Sequence, residues 1–179
     1  IMVFYENTID SKKAFEGRII NVRIDKIRTK DGGESFREVV EHPGGVAIAA
    51  LTNDNELVLI RQFRKPAEQV ILEIPAGKIE KGEMPEATAA RELKEETGYT
   101  ASKMTHLFTF YSSPGYSSEK IHLYLAEEID LGEASPDENE HVETVTYDLD
   151  TLSKMIENGE IIDGKTIVAI QAILLMRKK

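Results

Sequence analysis

The chain has 179 residues, 41% of them hydrophobic, which suffices for one compact domain with a real core plus a small appended element, and not for two full domains. Its formal charge of −10 argues against non-specific nucleic-acid binding, because that affinity comes from Lys and Arg neutralising phosphates. The absence of cysteine excludes disulfides, thiolate nucleophiles and cysteine-held zinc or iron–sulfur centres.

The start, "IMVFYENTIDSKKAFEGR", lacks the basic flank and small-residue cleavage site of a secretory signal, and no apolar run approaches the ~20 residues that cross a bilayer. A cytoplasmic protein with no membrane partner is expected. The first forty-odd residues then read as a small strand-rich arm. "GRIINVRIDKIRT" alternates Ile20, Val22, Ile24 and Ile27 with polar residues, and "DGG" at 31–33 supplies a hairpin turn before "FREVVEH". Two apolar runs follow, "GGVAIAALT" and "ELVLIRQF", separated by "NDN"; they predict a pair of core strands hydrogen-bonded to each other. "VILEIPAG" predicts a strand ending at Pro75.

The period changes to that of a helix between Pro85 and Thr97. Pro85 suits the first turn, Ala87, Ala89, Ala90 and Leu93 are good helix formers, and Gly98 suits the position just past the end. Strands are predicted in "MTHLFTFY", "KIHLYLAEEI" and "HVETVTYDL", with the acidic loop "GEASPDENE" before the last. Helices are predicted over 149–158 and 164–177. A mixed sheet with helices on its faces is the simplest arrangement.

The predicted helix at 85–97 concentrates negative charge in a chain that is already acidic. Glu92 and Glu96, four apart, project side by side, and Glu95 lies three from Glu92 on a neighbouring line, while Ala89 and Leu93 can face a core. Like charges at that spacing destabilise a helix by roughly 0.2–0.5 kcal/mol per pair, a tolerable cost that a bound cation would reverse. Oxygen ligands with no His or Cys nearby favour Mg²⁺ or Mn²⁺ over zinc. Those glutamates taken alone favour a solvated acidic face. The decision comes from the whole stretch, in which Gly77, Glu83, Arg91, Glu92, Leu93, Glu95, Glu96, Gly98 and Tyr99 fit G-x5-E-x7-R-E-U-x-E-E-x-G-U, with U apolar or aromatic. A chance match at all of these positions is on the order of one in 10⁸ per start site, so the pattern outweighs the solvated-face reading.

The segment resembles the Nudix box, the signature of hydrolases that cut nucleoside diphosphates linked to another group. The resemblance implies a Nudix fold, an α/β/α arrangement with a mixed β-sheet sandwiched between α-helices and an N-terminal antiparallel β-arm, divided into a dimerising arm at 1–43 and a hydrolase domain at 44–179. It implies Glu92, Glu96 and the backbone carbonyl of Ala76 as metal ligands, with Mg²⁺, or Mn²⁺, as the cofactor and Gly77 allowing a tight turn beside them. Arg91 and Glu83 would brace the loop and helix through an ion pair, and Glu95 could serve as brace or ligand.

Outside the box, Pro114 in "SSPGYSSE" stands sixteen residues after Gly98, an offset similar to the marker of the ADP-ribose pyrophosphatase subgroup. That resemblance implies hydrolysis of ADP-ribose to AMP and ribose 5-phosphate. It implies Glu138 as catalytic base and Glu140 as an additional metal ligand, two roles that could be exchanged. Arg64 in "RQFRK" and Arg37 in "FREVV" would meet the phosphates, Arg37 from across a homodimer formed through the arm; each could instead be a surface ion pair. Arg18, Ile19, Glu38 and His42 would sit near the adenine, Lys78 near the phosphates, and Ser113, Pro114, Gly115 and Glu119 around the terminal ribose. Rival readings are a Nudix hydrolase for another nucleoside diphosphate sugar or a modified nucleoside triphosphate, and a non-catalytic module that binds ADP-ribose.

Overall fold

The structure is a computed structural model, and it describes residues 5–135 and 141–178. Contacts divide the chain into two compact units, Ile1–Gly44 with Tyr111–Lys120, and Gly45–Phe110 with Ile121–Lys179.

The first unit is an antiparallel sheet in the order β1 (Asn7–Glu16), β2 (Asn21–Arg28), β3 (Glu34–Glu41). The turn at "DGG" forms as the sequence predicts, with Gly32 at φ +83° closing a reverse turn onto Thr29. The expected alternation of Ile20, Val22 and Ile24 does not define the buried face of β2. Its most buried residues are Asp25 and Ile27, and Asp25 is held by Ser11 Oγ at 2.6 Å and Arg23 Nε at 2.9 Å. A charged residue replaces an apolar one there because its hydrogen bonds are satisfied within the sheet. β1, exposed along its whole length, carries no alternation in "NTIDSKKAFE" and so has no strand signal of its own; it exists through backbone pairing with β2. The segment 111–120 joins this unit through Val40, whose N–H donates to Tyr116 O at 2.7 Å and whose carbonyl accepts from Ser118 N at 2.9 Å.

The second unit has two sheets. One runs β10 (Val142–Asp148), β5 (Glu56–Arg64), β6 (Gln69–Glu73). The other runs β7 (Ala76–Lys78), β4 (Gly45–Ala50), β9 (Lys120–Leu131), β8 (Tyr99–Tyr111), and is mixed, with β4 parallel to β9 and antiparallel to β7. The expectation that "GGVAIAALT" and "ELVLIRQF" pair with each other fails. Only Leu51 and Leu57 bridge, and the chain turns a corner between sheets through Asn55 at φ +62°. Both strands are buried on two faces, so each needs a partner on either side, and an apolar run alone does not say which. Pro75 makes a second corner, taking the chain from β6 to β7.

The alternation of β4 shows the layers. Val46, Ile48 and Ala50 pack with Ala89 and Leu93 of α1 (Pro85–Thr97), whereas Ala47 and Ala49 pack with Leu149, Leu152, Ile170 and Ile173 of α2 (Leu149–Glu157) and α3 (Gly164–Met176). This is the expected α/β/α arrangement. Among the described residues, no helix is long and apolar enough to cross a membrane.

Candidate active site

The site is built where α1 lies over β7. Pro85 opens the helix, with its fixed φ and lost donor harmless at that position, and Gly98 closes it at φ +78° while its N–H donates to Lys94 O at 2.9 Å. Leu93 and Ala89 anchor the inner face. Glu96 is buried at 2% exposure, and Arg91, Glu92 and Glu95 are half-buried above the loop.

Two carboxylates converge on the backbone just before the helix. Glu96 Oε2 accepts from Ala76 N at 3.0 Å. Glu92 lies directly over Gly77: a Cβ built on that glycine would fall 1.9 Å from Glu92 Cδ and 2.1 Å from Oε1. Gly77 sits in a regular strand, paired with Val46, so its role is to admit the carboxylate and not to make the tight turn expected of it.

Arg91 ties the acidic groups together. Its Nε and Nη2 donate to Glu83 at 3.0 and 3.1 Å, and its Nη1 reaches both Glu92 Oε1 and Glu95 Oε2 at 2.8 Å. This is the expected brace between loop and helix. Its hydrogen bonds hold the Glu83 carboxyl at about 2, well below the ordinary carboxylate range, and Glu83 in turn leads the contacts that hold the Arg91 guanidinium above its usual range.

The far end of α1 grips the start of the acidic loop. Gly132 N donates to Gly98 O at 2.9 Å and Ser135 N to Glu95 O at 3.1 Å, and Gly98 comes so close that an added Cβ would fall 2.8 Å from Gly132 O. Glu138 and Glu140 lie outside the described residues. On β5, Arg64 forms a fork on Glu73, with Nε to Oε1 at 2.6 Å and Nη2 to Oε2 at 2.9 Å. Burial opposes the charge on Arg64, but Glu73, with Glu96 and Asp163 further off, holds its pKa above the usual range. Lys78 is exposed on β7.

The remaining expected contacts fall in the first unit. His42 N donates to Ser118 Oγ at 3.1 Å, His42 Nδ1 lies 3.4 Å from Glu119 Oε1, and Glu119 also accepts from Ser112 Oγ. Gly44 N donates to the same Nδ1 at 3.1 Å. His42 and Glu119 are thus brought together. Ser113, half-buried, accepts backbone bonds from Tyr116 and Ser117, while Pro114 and Gly115 are exposed. Arg18 and Ile19 are exposed in the β1–β2 turn, Glu38 lies on β3, and Arg37 is paired with Glu6.

The donor set suits a hard divalent cation. Glu92 and Glu96 offer carboxylate oxygens beside the same two backbone residues, and oxygen donors of this kind are those that magnesium and manganese prefer. Among the described residues, no group of three His, Cys, Asp or Glu side chains forms a finished ligand set. The two carboxylates are the part of the site that the fold supplies ready-made.

A family profile described as NUDIX domain matches residues 41–168. The chain belongs to the Nudix family. It is 46% identical over 172 residues to an ADP-ribose pyrophosphatase of Bacillus subtilis strain 168, a match covering 95% of this chain and 93% of that one. It is 45% identical over 175 residues to a methanol dehydrogenase activator of Bacillus methanolicus, covering 97% and 95%. A crystal structure of an ADP compounds hydrolase superposes with a TM-score of 0.87 at 23% identity, covering 99% of this chain and 97% of that one, and shows the same fold.

The Nudix box itself was legible in the sequence, but three features around it were not. Glu73 and Lys165 join Arg64 in one ionic cluster although they lie far apart in the chain. Thr144 Oγ1 meets Glu96 O at 3.4 Å, tying β10 to the helix. Gln62 has its amide oxygen buried without a protein donor among the described residues. Only the alternation of "LIRQFR", which puts Gln62 and Arg64 on one face of β5, hinted at any of these.

Proposed function

We propose that the protein hydrolyses the diphosphate of ADP-ribose to AMP and ribose 5-phosphate with Mg²⁺, or Mn²⁺ in its place. The observation that carries this is the convergence of Glu92 and Glu96 on Ala76 and Gly77, in a chain 46% identical to a relative named ADP-ribose pyrophosphatase. Glu92, Glu96, the Ala76 carbonyl and Glu140 hold the metal. When bound, the cation neutralises charge on the phosphate oxygens and lowers the pKa of the attacking water.

Glu138 takes the proton as the water oxygen bonds to phosphorus, and the bond from that phosphorus to the bridging oxygen breaks, leaving the two monophosphates. Glu83 and Arg91 hold loop and helix together without touching substrate. Arg64 and Lys78 meet the phosphates, with Arg37 supplied by the second subunit of a homodimer formed through the arm at 1–43. Arg18, Ile19, Glu38 and His42 take the adenine, and Ser113–Gly115 with Glu119 the terminal ribose. The enzyme works in the cytoplasm.

The test is a substrate panel with AMP or phosphate release measured. ADP-ribose turning over more slowly than ADP-glucose or an oxidised nucleoside triphosphate would overturn the substrate assignment. Glu92→Gln is expected to lower turnover by orders of magnitude with the fold intact. Glu138→Gln should slow the reaction without abolishing metal binding, and wild-type rates in either variant would remove that residue from its role.

A further inference from the structure

The mechanism leaves unused a buried ionic cluster behind Arg64. Glu73, the last residue of β6, is 1% exposed and receives three cationic N–H donors: Arg64 through Nε and Nη2, and Lys165 through Nζ on Oε2. A carboxylate so deeply buried is costly unless it is paired on this scale. Lys165, on the first turn of α3, also meets Asp163 Oδ2 at 3.1 Å. Asp163 caps that helix by accepting from Thr166 N at 3.0 Å, and Thr166 Oγ1 accepts from Ile74 N at 2.8 Å, the residue after Glu73. The first turn of α3 is therefore locked to the end of β6 by backbone and side chain together.

The fork from Arg64 engages Nε and Nη2 and leaves the Nη1 edge of the guanidinium turned away from Glu73. An Arg–Glu pair by itself is neutral and offers little attraction to a diphosphate. Lys165 changes this by sharing the same carboxylate, so that the negative charge of Glu73 is divided between two cations. Asp163 acts on Arg64 from further off than Glu73, and its carboxylate is bound to the N-terminus of α3, whose partial positive charge offsets part of its field.

We infer that Lys165 is a positioning residue for the phosphates: acting through Glu73, it fixes the Arg64 fork and keeps that corner of the site attractive to an anion. This rests on the reading of Arg64 as a phosphate contact. It predicts a binding effect and not a chemical one, because the carboxylates that Lys165 pairs with are Glu73 and Asp163, neither of which is assigned to the metal.

Steady-state kinetics on ADP-ribose with saturating Mg²⁺ test it, using Lys165→Met, Lys165→Gln, Lys165→Arg and Arg64→Ala, with melting temperatures measured alongside. Removing one charge from a partly screened site is expected to raise KM on the order of tenfold in the Met and Gln variants. kcat should stay within about twofold, and the KM effect should shrink as salt is added. The Arg variant, which keeps the charge, should recover most of the wild-type KM. A KM near wild type in Lys165→Met and Lys165→Gln, with only the melting temperature lowered, would make the residue a structural clamp and overturn the inference. Loss of folding in both would do the same. If Arg64→Ala raises KM and the Lys165 variants do not, this inference alone fails; if Arg64→Ala leaves KM unchanged, the reading of Arg64 itself fails.

Discussion

Gly77→Ala isolates the contact on which the proposed metal site depends. The backbone does not require glycine there, since Gly77 lies in a strand paired with Val46 and is not among the residues with positive φ. What forbids a side chain is Glu92, whose Cδ, Oε1 and Cγ would lie 1.9, 2.1 and 2.3 Å from the new Cβ. An ordinary contact needs about 3.5 Å, so the carboxylate must retreat by about 1.5 Å. A metal ligand tolerates about 0.2 Å, and misplacement by about 1 Å costs on the order of 100-fold in rate. The displaced atoms are the end of a flexible side chain, so stability should fall by no more than about 1 kcal/mol, or about 2–4 °C in Tm. Turnover of ADP-ribose, a Mn²⁺ titration by calorimetry and a thermal melt decide the matter. The expected result is a loss of about 100-fold in kcat and weaker metal binding with Tm almost unchanged. Turnover within about threefold of wild type would show that Glu92 need not lie over Gly77, and a chain that fails to fold would show that the glycine serves the strand instead.

Glu83, held at about 2 by the Arg91 guanidinium, has a folded pKa below its ordinary value of 4.5, so its stabilisation is complete above about pH 4.5 and is lost as pH falls toward 2. Glu83→Gln should be less stable than wild type by about 1–2 kcal/mol at pH 6, with the gap in urea midpoint closing as pH falls through that window; a gap that does not change with pH would rule out the charged pair as its source. Gly98→Ala places a side chain at φ +78° and 2.8–2.9 Å from the backbone of Gly132 and Ala134, which must shift. About 2 kcal/mol of stability and a measurable part of kcat should be lost together, because the segment leading to Glu138 is anchored there; full activity with a lowered Tm would separate the anchor from the chemistry.

The sequence made α1 legible because its signals are local: proline at the start, glycine at the end, and Ala89 and Leu93 at the spacing of one face. It also marked Gly77 as special without giving the reason, since the reason is a side chain fifteen positions on that lies across the strand only after α1 has packed. Strand partners were less legible. β4 and the first half of β5 are apolar on both faces, so their sequences fit many neighbours, and the corner at Asn55 that assigns them to different sheets, like the one at Pro75 between β6 and β7, is decided by tertiary packing. β1 escaped because a strand exposed along its length has no hydrophobic period to read. The cluster of Arg64, Glu73 and Lys165 is non-local in the same sense, joining two strands to the first turn of the last helix.

The crowding of glutamates on α1 acquires a physical account once their partners are known. Glu83 and Glu95 are on Arg91, which also holds Glu92, so one guanidinium offsets three carboxylates that would otherwise repel. Glu96 is separated from that group by turning inward to the Ala76 amide. The outcome is a division of labour within one short segment. Glu83 and Glu95 meet the brace, while Glu92 and Glu96, the pair four apart, are the two that approach the backbone at Ala76 and Gly77. The same arrangement explains why arginine and not lysine occupies position 91, because only a planar guanidinium can make a bidentate fork to Glu83 and still direct a third nitrogen at two other carboxylates. The brace therefore does more than cancel charge: it sets the direction of Glu92, and with it the spacing of the two carboxylates proposed to hold a divalent cation.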